Sequence, residues 1–246
     1  MLDYFFLFFI AFLTSAVNIL AGGGSFITIP FLIFMGLPPT VANATNRVGI
    51  LAQTLVAFLY FNRRKLINIK KDGSEFAIPA LIGAILGSIF ASLISDANFK
   101  KYLIFFMLFF VFLSLINMKN NLNLKITNFR KYTKIKYLIF FLIGIYGGFI
   151  QAGVGFFIIG ALSLFNYNLS QINIIKSFII LLFTLISLLI FIFSIKIDLL
   201  AGVVLACGNM FGAYLGSYIN ISVNLKILKS IVLVAILIFS ILLLMF

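Results

Sequence analysis

The chain reads as an all-α integral membrane protein with about eight membrane-spanning helices. Three observations predict this. First, 64% of its 246 residues are hydrophobic and 9% are charged, against about 25% charged residues in soluble domains. Second, its apolar runs are continuous, which argues against the alternating pattern of a transmembrane barrel. Third, its two halves repeat the same order of glycine-interrupted apolar segments, a common build of secondary transporters.

A lipid-spanning helix needs about 20 apolar residues. Runs of that order occupy 4–20, 41–61, 76–95, 99–118, 137–153, 178–194, 199–218 and 228–246. Two shorter apolar pieces, 26–35 and 156–165, are too short to cross alone. The basic segment 119–136 divides the chain. The expected organisation is therefore a first transmembrane repeat at 1–118, a basic cytoplasmic loop at 119–136, and a second repeat at 137–246. Asp3 and the absence of Lys or Arg before the first apolar run distinguish the start from a signal peptide, so the first segment is expected to stay in the mature protein.

Each repeat opens with a helix that runs into glycines. Gly22-Gly23-Gly24 precedes Phe26-Ile27, and a shift of 131 residues brings Gly153, Gly155 and Phe157-Ile158 to matching positions. Three consecutive glycines weaken a helix more than close packing requires, so these segments are expected to be buried or to line a polar cavity. A polar turn follows in each repeat, Gly36-Leu37-Pro38-Pro39 in the first and Asn166 to Ser170 in the second. Further on, Gly83-Ala84-Ile85-Leu86-Gly87-Ser88 recurs as Gly212-Ala213-Tyr214-Leu215-Gly216-Ser217, now shifted by 129. The four-residue glycine spacing places each pair on one helix face, which predicts close helix packing of the kind small residues permit in membranes.

With eight alternating spans, Arg63, Arg64, Lys65, Lys70, Lys71, the basic residues of 119–136 and Lys196 share one side. Lys100, Lys101, Lys226 and Lys229 take the other. The positive-inside bias then places both termini in the cytoplasm of a bacterial inner-membrane protein. Four spans per repeat give parallel repeats about an axis along the membrane normal. If the two short pieces also crossed, the repeats would be inverted. The clustering of basic residues at membrane boundaries accounts for the net charge of +13 without a nucleic-acid partner. The lipid bilayer is the expected surrounding.

Of the 18 basic residues, 16 lie in loops or at helix ends; the other two are Arg47 and Lys176, which are 129 residues apart. At about 100° per residue, Asn43, Asn46, Arg47, Gln53 and Thr54 share one face of their helix while Thr45 points away. Asn173, Lys176, Ser177, Thr184 and Ser187 share a face of the equivalent helix by the same geometry. A polar stripe on a membrane helix faces protein or water. All five acids, Asp3, Asp72, Glu75, Asp96 and Asp198, fall at membrane boundaries or in loops. Buried positive charge without a buried carboxylate fits a small anionic ligand, with Arg47 holding it bidentately and Lys176 acting as a point charge. The plainer alternative is that both cations snorkel to a membrane surface. Candidate ligand-binding residues are Gly22, Gly23, Gly24, Asn43, Asn46, Arg47, Gln53, Gln151, Gly153, Gly155, Lys176 and Ser177. Asn18 and Asn209 are further polar positions. Amide and hydroxyl groups at such positions also serve simply to bridge helices.

The run from Ala21 through Gly22-Gly23-Gly24 to Pro30-Phe31-Leu32, then Gly36-Leu37-Pro38-Pro39 and Ala44-Thr45-Asn46, resembles the TauE/SafE family of sulfite exporters. The second repeat resembles the family's second motif from Gly147-Gly148 through Gly153-Val154-Gly155 to Lys176-Ser177, with three departures. Val154 interrupts the glycines, Gly160 or Ala161 stands where a proline is expected, and Lys176-Ser177 replaces a small polar pair. The resemblance implies a permease for small sulfur-containing anions such as sulfite, thiosulfate or sulfonates, working by alternating access. No cofactor is implied.

Two other functions are compatible with a multi-pass helical chain. One is a non-transporting structural or accessory membrane subunit. The other is a membrane-embedded enzyme. The chain has no His and one Cys, so the usual general base and thiolate metal sites are missing. Ser177 sits about 100° around the helix from Lys176, so the two cannot meet as a catalytic dyad. The sequence therefore reads as a non-enzyme.

Overall fold

The computed structural model describes residues 2–20, 22–63, 67–119, 133–195, 197–219 and 225–245. Most of the expected basic loop, residues 120–132, lies outside the described residues, as do Arg64, Lys65 and Lys196. The described chain is all-α. Its helices are α1 Leu2–Leu20, α2 Ser25–Phe34, α3 Pro39–Asn62, α4 Ser74–Leu93, α5 Asp96–Lys119, α6 Thr133–Phe149, α7 Val154–Leu164, α8 Leu169–Ser194, α9 Leu199–Ile219 and α10 Leu225–Met245. A π-helical turn, Ile69–Gly73, leads into α4. Among the described residues five helices, α1, α4, α5, α8 and α9, are both long and apolar enough to cross a membrane. That is fewer than the eight expected spans. α3 has 24 residues, ample length, but its polar stripe lowers its hydropathy. The short pieces form separate helices of 10 and 11 residues, about 15–17 Å long at 1.5 Å per residue.

Local chemistry sets several of these boundaries. Pro39 opens α3 at a position where its missing N–H costs nothing. α8 opens with a reciprocal capping box between Asn168 and Gln171, which satisfies two otherwise free amides.

Helix directions follow from the contacts. α1 and α9 run parallel, with Gly208 against Phe8, Gly212 against Phe12 and Gly216 against Ala16. α4 and α6 run parallel, with Gly83 against Phe141 and Gly87 against Ile145. α3 and α9 also run parallel, with the Asp198 amide on Thr45, Gly202 beside Val48 and Tyr60 against Tyr214. α3 and α8 are antiparallel, because Phe58 meets Phe178 while Arg47 lies over Phe191. So α1, α3 and α9 point one way and α6, α8 and α4 the other. α2 and α7 reverse the chain between them. Each half thus contains five helices of alternating direction, and the first helix of one half is opposed to the first helix of the other.

This corrects the expectation of parallel four-helix repeats. The halves are inverted: α1, α3 and α9 run opposite to α4, α6 and α8. The end of α3, the end of α5 and the start of α6, which flank the basic segments, lie at one face. The start of α1 and the end of α10 lie at the opposite face. The termini therefore do not share a side with the main basic loops.

The halves interlock. The most extensive packing joins α1 to α9 and α4 to α6, each pair drawn from both halves. A methyl group at Gly83 or Gly87 would strike the Phe141 or Ile145 carbonyl, and one at Gly212 or Gly216 would strike that of Phe12 or Ala16. The repeated glycines therefore build two equivalent helix seams, as their spacing predicted.

Candidate functional site

The two helix breaks pack against each other. Gly22 and Gly23 adopt positive φ of 84° and 87°, and Gly153 adopts 74°, backbone that glycine enters without steric cost. The Phe156 ring covers Gly22 and Gly23, and the Phe26 ring covers Gly153. Both rings pack on Phe110, with centroids 4.3 and 5.5 Å away. Gly155 faces the Gly22 backbone. Gly24 packs on Thr14 and Asn18, where a side chain would clash with the Thr14 carbonyl.

The structural register of the repeat is 129 throughout this region. α1 ends at Leu20 and α6 at Phe149, while α2 begins at Ser25 and α7 at Val154. The 131-residue match of glycines is therefore corrected. Gly24 is equivalent to Gly153, and Gly22 is equivalent to Gln151, which also adopts positive φ, 66°.

Arg47 is fully buried, and its partners are backbone carbonyls of the other half. Nη1 donates to Gly147 at 3.0 Å, and Nη2 donates to Gly148 at 2.6 Å and Phe149 at 3.4 Å. Asn43, one turn earlier, donates to the Phe149 carbonyl at 3.0 Å. The guanidinium also lies 4.8 Å from the centroid of the Phe191 ring. These carbonyls end α6, so a cation meets the negative end of a helix dipole and satisfies acceptors that have no partner within the helix.

Lys176 repeats the arrangement in reverse. It is 3% exposed, and its Nζ donates to the Ile19 carbonyl at the end of α1, at 2.9 Å. Ile19 and Gly148 are equivalent in the 129 register. Each intramembrane cation therefore caps the broken first helix of the opposite half. Neither snorkels to a surface. Because α3 and α8 are antiparallel, roughly 15–20 Å of helix separates the two cations along the bundle at 1.5 Å per residue. The polar faces do not converge on one point. They form two stations at different depths.

The remaining candidates divide by what they touch. Asn46 accepts from Thr28 at 2.7 Å and donates to Ser25 at 3.1 Å, tying α3 to α2. Gln53 accepts from Asn18 at 3.3 Å, and Asn18 in turn accepts from the Gly24 amide at 3.2 Å. Gln151 donates to Thr184 at 2.5 Å. Ser177 donates to the Asn173 carbonyl one turn back, at 2.8 Å. Sequence reasoning missed the carbonyl acceptors, together with Ser25, Thr28 and the Ser88 hydroxyl, which donates to Ser187 at 2.7 Å. The glycine segments themselves were the only available signal, since a helix that breaks inside a membrane must expose unpaired carbonyls.

Several buried polar atoms have no partner: Arg47 Nε, Asn43 Oδ1, Asn173 Oδ1, Gln151 Oε1, Asn209 Nδ2 and Ser217 Oγ. Such atoms are rare in folded proteins and mark places that water or a ligand can complete. Among the described residues one ion pair occurs, Lys136 with Glu75 near the start of α6, and no cluster of metal-ligating side chains is found.

Buried cations at paired helix breaks within a multi-pass apolar bundle fit a membrane transporter of the permease type. The family model described as "Sulfite exporter TauE/SafE" matches residues 7–243, and the chain belongs to that family. It is similar to a "Probable membrane transporter protein" of Haemophilus influenzae, 30% identical over 221 residues covering 86% of this chain and 82% of the relative. The "Probable membrane transporter protein ORF9" of a Sinorhizobium species is 26% identical over 91% of this chain and 85% of its own length. The "Probable membrane transporter protein YfcA" of Escherichia coli K12 is 25% identical over 93% and 84%. No solved structure matches the chain.

Proposed function

We propose that this protein is a secondary transporter that moves a small anion, a sulfur-containing oxyanion or organosulfonate, across the bacterial inner membrane by alternating access. The observation that carries the reading is a pair of buried cations without a carboxylate partner among the described residues. Each caps a helix end worth about half a negative charge. Two such ends offset about one of the two positive charges, and a bound monoanion would balance the remainder. The sulfur chemistry rests on the family's description as sulfite exporters.

The inverted halves supply the symmetry that alternating access uses. The glycine seams are too tight to slide, so the six helices α1, α3, α4, α6, α8 and α9 act as one body. The moving parts are α5, α10 and the short helices α2 and α7, which pack more sparsely against it. Orientation follows from charge. The face where α3 and α5 end and α6 and α10 begin holds Arg63, Lys70, Lys71, Lys119, Lys134, Lys136, Lys226 and Lys229, against Lys100 and Lys101 at the opposite face. The positive-inside rule makes that face cytoplasmic and the termini extracytoplasmic.

The test is flux of sulfite, thiosulfate and sulfoacetate into proteoliposomes. At least one should enter faster than into protein-free liposomes, and the rate should fall at least tenfold in the Arg47→Gln/Lys176→Gln double variant. Equal flux with and without the two cations contradicts the reading.

A further inference from the structure

The two stations differ in how fully they are occupied by the protein itself. At the arginine station three carbonyls and an aromatic ring surround the guanidinium. Ser88 adds to it, donating to Ser187 and lying 3.3 Å from the Gly148 carbonyl. At the lysine station the ammonium has one hydrogen-bond partner, the Ile19 carbonyl, although it carries three donor protons. Ser217 stands in the register position of Ser88, one residue beyond the Gly216–Ala16 contact with α1. It is fully buried, and its hydroxyl is unpaired. Asn173 lies three residues before Lys176, hence on the same helix face. It is 1% exposed, and its Oδ1 is unpaired.

A spare ammonium and a hydroxyl are donors, whereas a buried amide oxygen is an acceptor. A bare dianion satisfies the first two and repels the third. An anion that keeps one proton satisfies all three. We infer that Lys176, Ser217 and Asn173 form a site for the protonated monoanion of an oxyacid, with Lys176 and Ser217 donating to its oxygens and Asn173 Oδ1 accepting its hydroxyl proton. The inference rests on the anion-transport reading and narrows it to one protonation state. It also gives Arg47 a different part. The guanidinium is committed to α6, so it latches the helix break and is not the principal anion ligand. Among the described residues Lys176 makes no ion pair, and the chain has no histidine, so the proton resides on the ligand.

The test is calorimetric binding to the purified, detergent-solubilised protein, with sulfite and methanesulfonate as probes between pH 6 and 9. Methanesulfonate is a monoanion over that range and has no acidic hydroxyl. Sulfite affinity should fall about tenfold per pH unit relative to methanesulfonate once hydrogen sulfite ionises, because any change at Lys176 weakens both probes alike. Asn173→Leu should weaken sulfite binding about tenfold and leave methanesulfonate within about threefold. Ser217→Ala should weaken both probes, and Lys176→Gln should abolish both. Sulfite affinity that, relative to methanesulfonate, is level or rises with pH overturns the inference, as does equal loss of both probes in Asn173→Leu. Wild-type protein that binds neither probe overturns the anion reading itself, and this inference with it. Ser217→Ala and Asn173→Leu keep the charge network intact, so the test stands even if Lys176→Gln fails to fold.

Discussion

The two helix breaks occupy equivalent places and are held open by different means. The first, Gly22 to Gly24, relies on the conformational freedom of glycine. The second places Gln151 at φ 66°, a conformation that costs a non-glycine residue about 1–3 kcal/mol. Side chains hold it there. Gln151 donates to Thr184, and the Tyr146 hydroxyl donates to the Ala152 carbonyl at 2.5 Å. The first break is permissive and the second is pinned. A repeat can therefore keep its geometry while one copy loses the residues that mark it, and an alignment of glycines alone then slips by two positions.

Five substitutions separate these roles, from the largest expected effect to the smallest. Gly83→Leu and Gly212→Leu should each prevent recovery of monodisperse protein on gel filtration. No rotamer clears a backbone carbonyl in the α4–α6 or α1–α9 seam, and recovery of either variant in folded form would break the equivalence of the seams. Gly23→Ala should lower stability by about 2–4 kcal/mol, combining positive-φ strain with overpacking against Phe156, measured by thermal denaturation in detergent. Thr184→Val should cost about 1–2 kcal/mol, because the pinning hydrogen bond is lost in a buried site. Gln151→Gly should change stability by less than about 1 kcal/mol, since relief of strain offsets the lost bond. A large loss in Gln151→Gly would show that the glutamine serves more than the break.

Gly153 and Gly155 sharpen the comparison further. They look alike in the sequence. An alanine methyl at 153 would enter the Phe26 ring at positive φ, whereas at 155 its nearest neighbour would lie 3.6 Å away. Gly155→Ala should therefore be tolerated and Gly153→Ala should not.

Much of this fold was legible in the sequence, for physical reasons that also explain what was not. Long apolar runs reveal helices because lipid demands them. The glycine pairs at 83/87 and 212/216 reveal seams because close approach demands small residues. Helix direction was hidden. Pieces of 10 and 11 residues are too short to read as crossings, yet as α2 and α7 they reverse the chain. The charge bias could not detect the reversal. The end of α3, the end of α5 and the start of α6 fall together either way, and among the described residues only Lys226 and Lys229 change sides. Arg47 and Lys176 stood out correctly as buried cations. Their partners did not, because backbone carbonyls from the other half leave no side-chain signature.

Every pairing described above depends on the inverted arrangement, in which α3 and α9 run parallel and bring Tyr60 beside Tyr214. Parallel repeats would set those helices antiparallel and place residue 60 near the start of α9. The decisive measurement is cross-linking with a short bifunctional maleimide in a Cys207→Ser background. Tyr60→Cys with Tyr214→Cys should form an intramolecular cross-link, and Tyr60→Cys with Leu199→Cys should not. The opposite pattern would contradict the inverted fold and the exchange of helix caps built on it.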